Sequence, residues 1–98
     1  SIIWDEFVAR GLMTPQRFVT LLSVAPASIA GITTHGAPFT IGEAANITVF
    51  DPGERWVIEP EGLQSKSLNT PWPQKEVQGR VRHTICNGAL VVHDATLV

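Results

Sequence analysis

The sequence has 98 residues, 44% of them hydrophobic and only 16% charged, with a formal net charge of −2. Such a length supports one small domain, and a charged share well under the usual figure of about 25% argues against disorder and suggests a surface that partly faces other protein. The basic residues Arg10, Arg17, Arg55, Lys66, Lys75, Arg80 and Arg82 are scattered, which argues against a nucleic-acid partner, and no apolar run approaches the roughly 20 residues of a membrane span.

The chain opens on Ser1, Ile2, Ile3, Trp4, Asp5 and Glu6. This start lacks the basic region of a signal peptide and lies in mid-helix, a hint of truncation. Ile3 and Phe7, with Trp4 and Val8, set an i, i+4 apolar stripe that predicts a helix through Arg10, stopped by Gly11. Thr14 and Pro15 read as an N-cap and a proline at the first helical position. Phe18, Leu21, Leu22 and Ala25 continue at helical spacing. Pro26 is expected to end that helix and open a short third one, closed by Gly31.

From Ile32 onward the period turns from 3.6 to 2. Turn signals at residues 36–38 and 42–43 surround Phe39, Thr40 and Ile41. Residues 47–50 and 55–59 are strand candidates, separated by an expected turn at Asp51, Pro52 and Gly53. The clearest element covers residues 80–93, two β-rich runs joined by Asn87 and Gly88, the favoured pair for a type I′ hairpin. Its expected register sets Ile85 opposite Leu90 and His83 opposite Val92, with Arg82, Thr84, Val91 and His93 on the other face. Residues 61–78 read as a long irregular stretch in which Pro71 and Pro73 bracket Trp72, an apolar anchor. A loop of this length usually means function or contact with something else. The class is α+β, with helices over residues 1–31 and a small β-sheet or β-sandwich portion with a C-terminal hairpin over residues 32–98.

No complete active site emerges, and no catalytic, cofactor-binding or metal-binding residue is assigned. Zinc needs three or four converging ligands. The expected register sends His83 and His93 to opposite faces, and His35 sits in a loop beside Gly36. Cys86 is the only cysteine, so the chain forms no internal disulfide; it reads as a small strand residue of a reduced, cytosolic protein. Ser65 and Ser67 flank Lys66, but neighbours in a loop do not usually face each other productively. Glu59 and Glu61 bracket Pro60 and read as solvated carboxylates. Gly31, Gly36 and Gly42 lack the spacing of a phosphate loop.

Residues 25–32, Ala-Pro-Ala-Ser-Ile-Ala-Gly-Ile, resemble the stretch "NPA-x-I-x-G-L" of cyclic amidohydrolases. Residues 41–52 resemble their "I-x-x-G-x-x-A-D-L-V-V-F-D-P" segment, with Asn46 in place of the usual acid; the Asn is expected to keep the local hydrogen bonding of a turn. Residues 65–72 are similar to the "S-K-x-x-N-T-P-F" loop of the longer bacterial dihydroorotases, and residues 79–88 to the "G-x-V-x-x-T-I-x-x-G" that follows it. Near Gln74 the glycine of "P-F-E-G" is replaced. The likeness spans residues 14–93, in order and with matching spacing.

The resemblance implies a C-terminal fragment of a longer enzyme, with a (β/α)₈ barrel that binds zinc and a composite β domain made from both chain ends. Residues 1–31 would be the last helices of the barrel, and residues 32–98 part of the β domain. The implied reaction interconverts N-carbamoyl-L-aspartate and dihydroorotate in pyrimidine biosynthesis. The family's metal ligands and catalytic Asp lie upstream of the matched region, so the fragment itself is expected to be inactive and without a cofactor. Its expected partners are the barrel and N-terminal strands of its own parent, with self-association of the fragment through the sheet edge or a helix face. Three alternatives remain: a dihydropyrimidinase or allantoinase, a non-catalytic homologue that supports aspartate transcarbamoylase, and an independent β-rich interaction module.

Overall fold

A computed structural model describes all residues, Ser1–Val98. Helices come first and a four-stranded sheet follows, an α+β arrangement. The first helix, α1, spans Trp4–Val8 and closes with a wide i→i+5 bond from Ala9 N–H to Trp4 O at 2.9 Å. Gly11 follows it in a turn, at φ +75°.

The second helix, α2, runs without a break through Pro15–Val19, Thr20–Val24 and Ala25–Ala30. Thr14 caps it as the sequence predicts, its Oγ1 accepting from Arg17 N–H at 3.2 Å. Pro26 does not end the helix. A proline ring inside a regular α-helix meets the carbonyl four residues back, and here the turn Thr20–Val24 is widened to i→i+5, with Ala25 N–H on Thr20 O. We attribute the helix's survival to that wider turn. Gly31, at φ +69°, then stops it: its N–H reaches Ser28 O and Ile32 N–H reaches Ala27 O, a Schellman pattern.

The strands are β1, Ile47–Val57; β2, Glu76–Cys86; β3, Ala89–His93; and β4, Thr96–Leu97. They form one antiparallel meander in that order. Residues 32–46 contain no strand, despite their alternating pattern. Asp51, Pro52 and Gly53 do not separate two strands either. They form a bulge within β1, where the pairing passes from Asp51↔Arg80 to Arg55↔Gln78. Asp51 Oδ1 holds the bulge by accepting from Gly53 N–H at 2.9 Å and Glu54 N–H at 3.1 Å. The irregular stretch is shorter than its sequence suggests, because β2 starts at Glu76 and pairs with Val57.

Asn87 and Gly88 both have positive φ, 49° and 79°, as a type I′ turn requires. A second turn of the same kind, at Asp94 and Ala95 (φ 46° and 61°), leads into β4 and carries no such sequence signal.

The interior is small. Only four residues are buried, among them Trp4, Ile58 and Val77, with Gly79 the fourth. Trp4 meets Phe18 edge-on at 5.1 Å and Phe50 at 4.9 Å, which ties α1 and α2 to the sheet. Gly79 lies against this cluster: a Cβ there would stand 2.6 Å from Phe50 Cζ and 2.7 Å from Trp4 Cδ1. The accessible surface is 7138 Å², against about 5,500 Å² for a compact monomer of this mass. The radius of gyration is 14.7 Å, against about 12.6 Å for this length. Both excesses fit a piece that packs against something else.

Candidate functional site

The densest polar constellation lies on the sheet, where β-bulges bring charged side chains together. Glu54, lifted out by the β1 bulge, accepts from Arg80 Nη1 at 3.1 Å and from Arg82 Nη1 at 2.9 Å. Arg82 Nη2 also donates to Asp94 Oδ1 at 2.9 Å. That contact, with Glu54 second, raises the guanidinium pKa, and Arg82 in turn holds the Asp94 carboxyl below its ordinary range. Arg80 lies 4.9 Å from the ring centroid of Trp56, whose Nε1–H donates to Gly79 O at 3.0 Å. Two carboxylates and two guanidiniums thus satisfy one another.

The histidines depart from their expected places. In the hairpin Ile85 does face Leu90, but Thr84, not His83, faces Val92. Val91 is the extra residue, a bulge that shifts the register by one. His93 therefore lies beside His83, with ring centroids 5.1 Å apart, and not on the opposite face. Asp94 sits by both, its carboxylate oxygens 3.8 Å from His83 Nε2 and His93 Nδ1.

This trio fits a zinc ion poorly for a chemical reason. Asp94 N–H donates to His83 Nδ1 at 3.3 Å, so in the neutral ring Nε2 carries the proton and offers no lone pair. The Arg82 guanidinium already occupies the carboxylate. No group of three His, Cys, Asp or Glu residues anywhere in the chain has the geometry to hold a metal ion.

The remaining sequence candidates stay apart. His35 is exposed on a loop cleft with Thr33, Thr34, Phe39 and Asn46. Beside it Gly36 packs on α2 so closely that a Cβ would sit 2.8 Å from Ala27 Cβ and Ser23 O. Cys86 is exposed at the end of β2. Ser67 Oγ accepts from Asn69 N–H at 3.1 Å, and Thr70 Oγ1 from Trp72 N–H at 3.2 Å. The Ser-Lys-Ser and Asn-Thr-Pro-Trp runs are therefore folded as side-chain-capped turns. Trp72 remains 43% exposed, an anchor without a socket in this chain. Glu59 and Glu61 are both exposed, the first just ahead of the turn Pro60–Gly62 and the second within it.

Asn46 acts at long range and not locally. Its Oδ1 accepts from Asn87 N–H at 2.9 Å and its Nδ2 donates to Thr34 O at 3.3 Å. Gly88 N–H adds a bond to Ala45 O at 2.9 Å. The hairpin tip is thereby fastened to the loop ahead of β1. Sequence reasoning missed both this fastening and the Glu54–Arg82–Asp94 network; opposite charges at strand positions were the signal for the second.

No family model matches the chain. It is 36% identical over 97 residues to a dihydroorotase of Streptomyces coelicolor, covering 99% of this chain and 23% of that protein. A dihydroorotase of Aquifex aeolicus is 33% identical over 89 residues, 91% of this chain and 21% of the relative. Among solved structures, the dihydropyrimidinase from Brevibacillus agri matches with a TM-score of 0.89 and 28% identity, over 99% of this chain and 21% of that one. The chain belongs to the cyclic amidohydrolases. It spans about a fifth of the length of these relatives and corresponds to their C-terminal part. An L-hydantoinase from Arthrobacter aurescens, at 19% identity and a TM-score of 0.89, shares the fold of this cyclic amidohydrolase segment. No helix of the segment is long and apolar enough to cross a membrane.

Proposed function

We propose that the chain is the bracing C-terminal part of a bacterial dihydroorotase, a cyclic amide hydrolase whose chemistry lies elsewhere in the protein. The observation that carries this reading is the 36% identity, over 99% of the chain, to a protein named dihydroorotase. Identity to the dihydropyrimidinase of known structure is lower, at 28%, although its TM-score of 0.89 keeps a hydantoin-type substrate as the second reading. In the whole enzyme a zinc ion in a (β/α)₈ barrel would supply the Lewis-acid chemistry that activates water toward the ring amide of dihydroorotate. The residues of this chain hold no part of that centre; they position the sheet and the last helices against it.

The surface supports a bracing role. Between Arg17 and Glu43 there is no Asp, Glu, Lys or Arg. Val19, Leu21, Leu22, Val24, Ile29 and Phe39, all in that stretch, are exposed. A helix uncharged beyond its first turn that leaves so many apolar side chains exposed needs cover, and the barrel of the parent is the body that would supply it. The N-terminal strands of the same parent would extend the sheet, and the compartment would be the cytoplasm, where pyrimidines are made.

The test is an assay of the purified 98-residue chain with dihydroorotate and added zinc. We expect no hydrolysis. Metal-dependent turnover by the pure chain would overturn the reading. Recovery of turnover when the chain is mixed with a dihydroorotase lacking its C-terminal fifth would support it directly.

A further inference from the structure

We propose that Asn87 is a site of covalent self-modification, where the Gly88 nitrogen closes on the Asn87 side-chain amide, and that the bonds to Asn46 and Ala45 hold this reaction in check. The inference rests on the hairpin tip alone and is independent of the hydrolase reading. The reaction needs no enzyme. Once hydroxide takes the proton of the Gly88 backbone nitrogen, that nitrogen attacks Asn87 Cγ. The new N–Cγ bond closes a succinimide ring as the Cγ–Nδ2 bond breaks, and the amide nitrogen takes a proton from water and leaves as ammonia. Water then opens the ring at either carbonyl. One opening yields aspartate; the other yields isoaspartate, whose main chain runs through the former side chain.

Several observations select this position. Among the asparagines Asn46, Asn69 and Asn87, only Asn87 precedes a glycine. Ile47 and Thr70 follow the other two, and their branched Cβ atoms crowd the attacking nitrogen. Gly88 has no Cβ, and nothing lies within 4 Å of where one would stand. Asn87 and Gly88 are both exposed, so water and hydroxide reach them. Their positive φ values of 49° and 79° explain why this pair occupies the turn. The pair that makes the hairpin is thus also the pair that reacts.

The fold opposes the reaction through the fastening of the tip. Gly88 N–H donates to Ala45 O at 2.9 Å, and its proton is the one that hydroxide must remove. Asn87 N–H donates to Asn46 Oδ1 at 2.9 Å, and Asn46 Nδ2 donates to Thr34 O at 3.3 Å. These bonds turn the Gly88 nitrogen toward the loop ahead of β1 and away from Asn87 Cγ. Ring closure then starts from conformers in which the tip has left the loop, and its rate scales with their population. Asn46, which fastens the tip, is therefore a positioning residue that sets the pace of change at Asn87.

The chain is aged at neutral pH below its melting transition, and peptide mapping by mass spectrometry reads aspartate and isoaspartate at each asparagine. The same is done in guanidinium chloride, where the chain is unfolded. We expect modification at Asn87 ahead of Asn46 and Asn69, slower in the folded chain than in the unfolded one. Asn46→Ala should speed it about fivefold or more in the folded state, and should leave the unfolded rate unchanged. Thr70→Ala, which removes a side-chain cap far along the chain from the hairpin, should leave both rates unchanged. Equal folded-state rates in the parent chain and Asn46→Ala overturn the proposal. So does modification led by Asn46 or Asn69, or an acceleration that Thr70→Ala reproduces. If Asn46→Ala fails to fold, the parent chain alone still decides: a rate at Asn87 that is the same folded and unfolded overturns the proposal.

Discussion

Gly79 is the residue on which most depends. Its φ of +97° already disfavours any side chain, and the space a Cβ would need is filled by Trp4 and Phe50. Its carbonyl also holds Trp56. Gly79→Ala combines backbone strain with overpacking, and about 2–4 kcal/mol of destabilisation is expected, read from the urea midpoint of unfolding. Charge makes a smaller contribution, with a definite sign. The folded-state pKa values of Asp94 and Glu6 are depressed, chiefly by Arg82 and by Lys75 respectively. A depressed carboxylate stabilises the fold at pH above its unfolded value and loses that contribution as pH falls through its folded value. The melting temperature should therefore drop as the solution is acidified through and below the ordinary carboxylate range. Asp94→Asn should melt lower than the parent chain at neutral pH and converge on it in acid. Equal melting curves at neutral pH would show that the Arg82 contact contributes nothing.

At the scale of elements, Asn46 is the fastening to test. Asn46→Asp keeps an acceptor for Asn87 N–H but removes the donor to Thr34 O. The loop ahead of β1 should loosen by about 1 kcal/mol, seen as faster exchange of the Gly88 amide that bonds Ala45 O. The sequence made some elements legible for local reasons. Thr14 and Pro15 start α2, Gly31 ends it, and Asn87 with Gly88 turns the hairpin, because each depends on its own few dihedrals. Other elements were misread where a neighbour decides the outcome. Pro26 survives inside α2 because the preceding turn widens. Asp51, Pro52 and Gly53 bulge and do not turn, because β2 continues alongside them. The bulge at Val91, invisible to a period-two count, moved His93 next to His83 and removed the directional argument against a shared ion. Hydrogen bonding at His83 and the Arg82 guanidinium on Asp94 replace that argument.

At the scale of the whole molecule, the motifs at residues 25–32, 41–52 and 65–88 carried the family, while the geometry of the polar network could not be read from any motif. The bracing reading has its root in an interior of four residues under an apolar exterior. That root changes what a measured stability would mean. Whatever covers the outer face of α2 or the edge of β1 binds the folded chain and not the unfolded one, so each such contact stabilises the fold by mass action. A melting temperature for these 98 residues is then no fixed property of the sequence. It is a binding isotherm in disguise, rising with the concentration of the chain or of its partner.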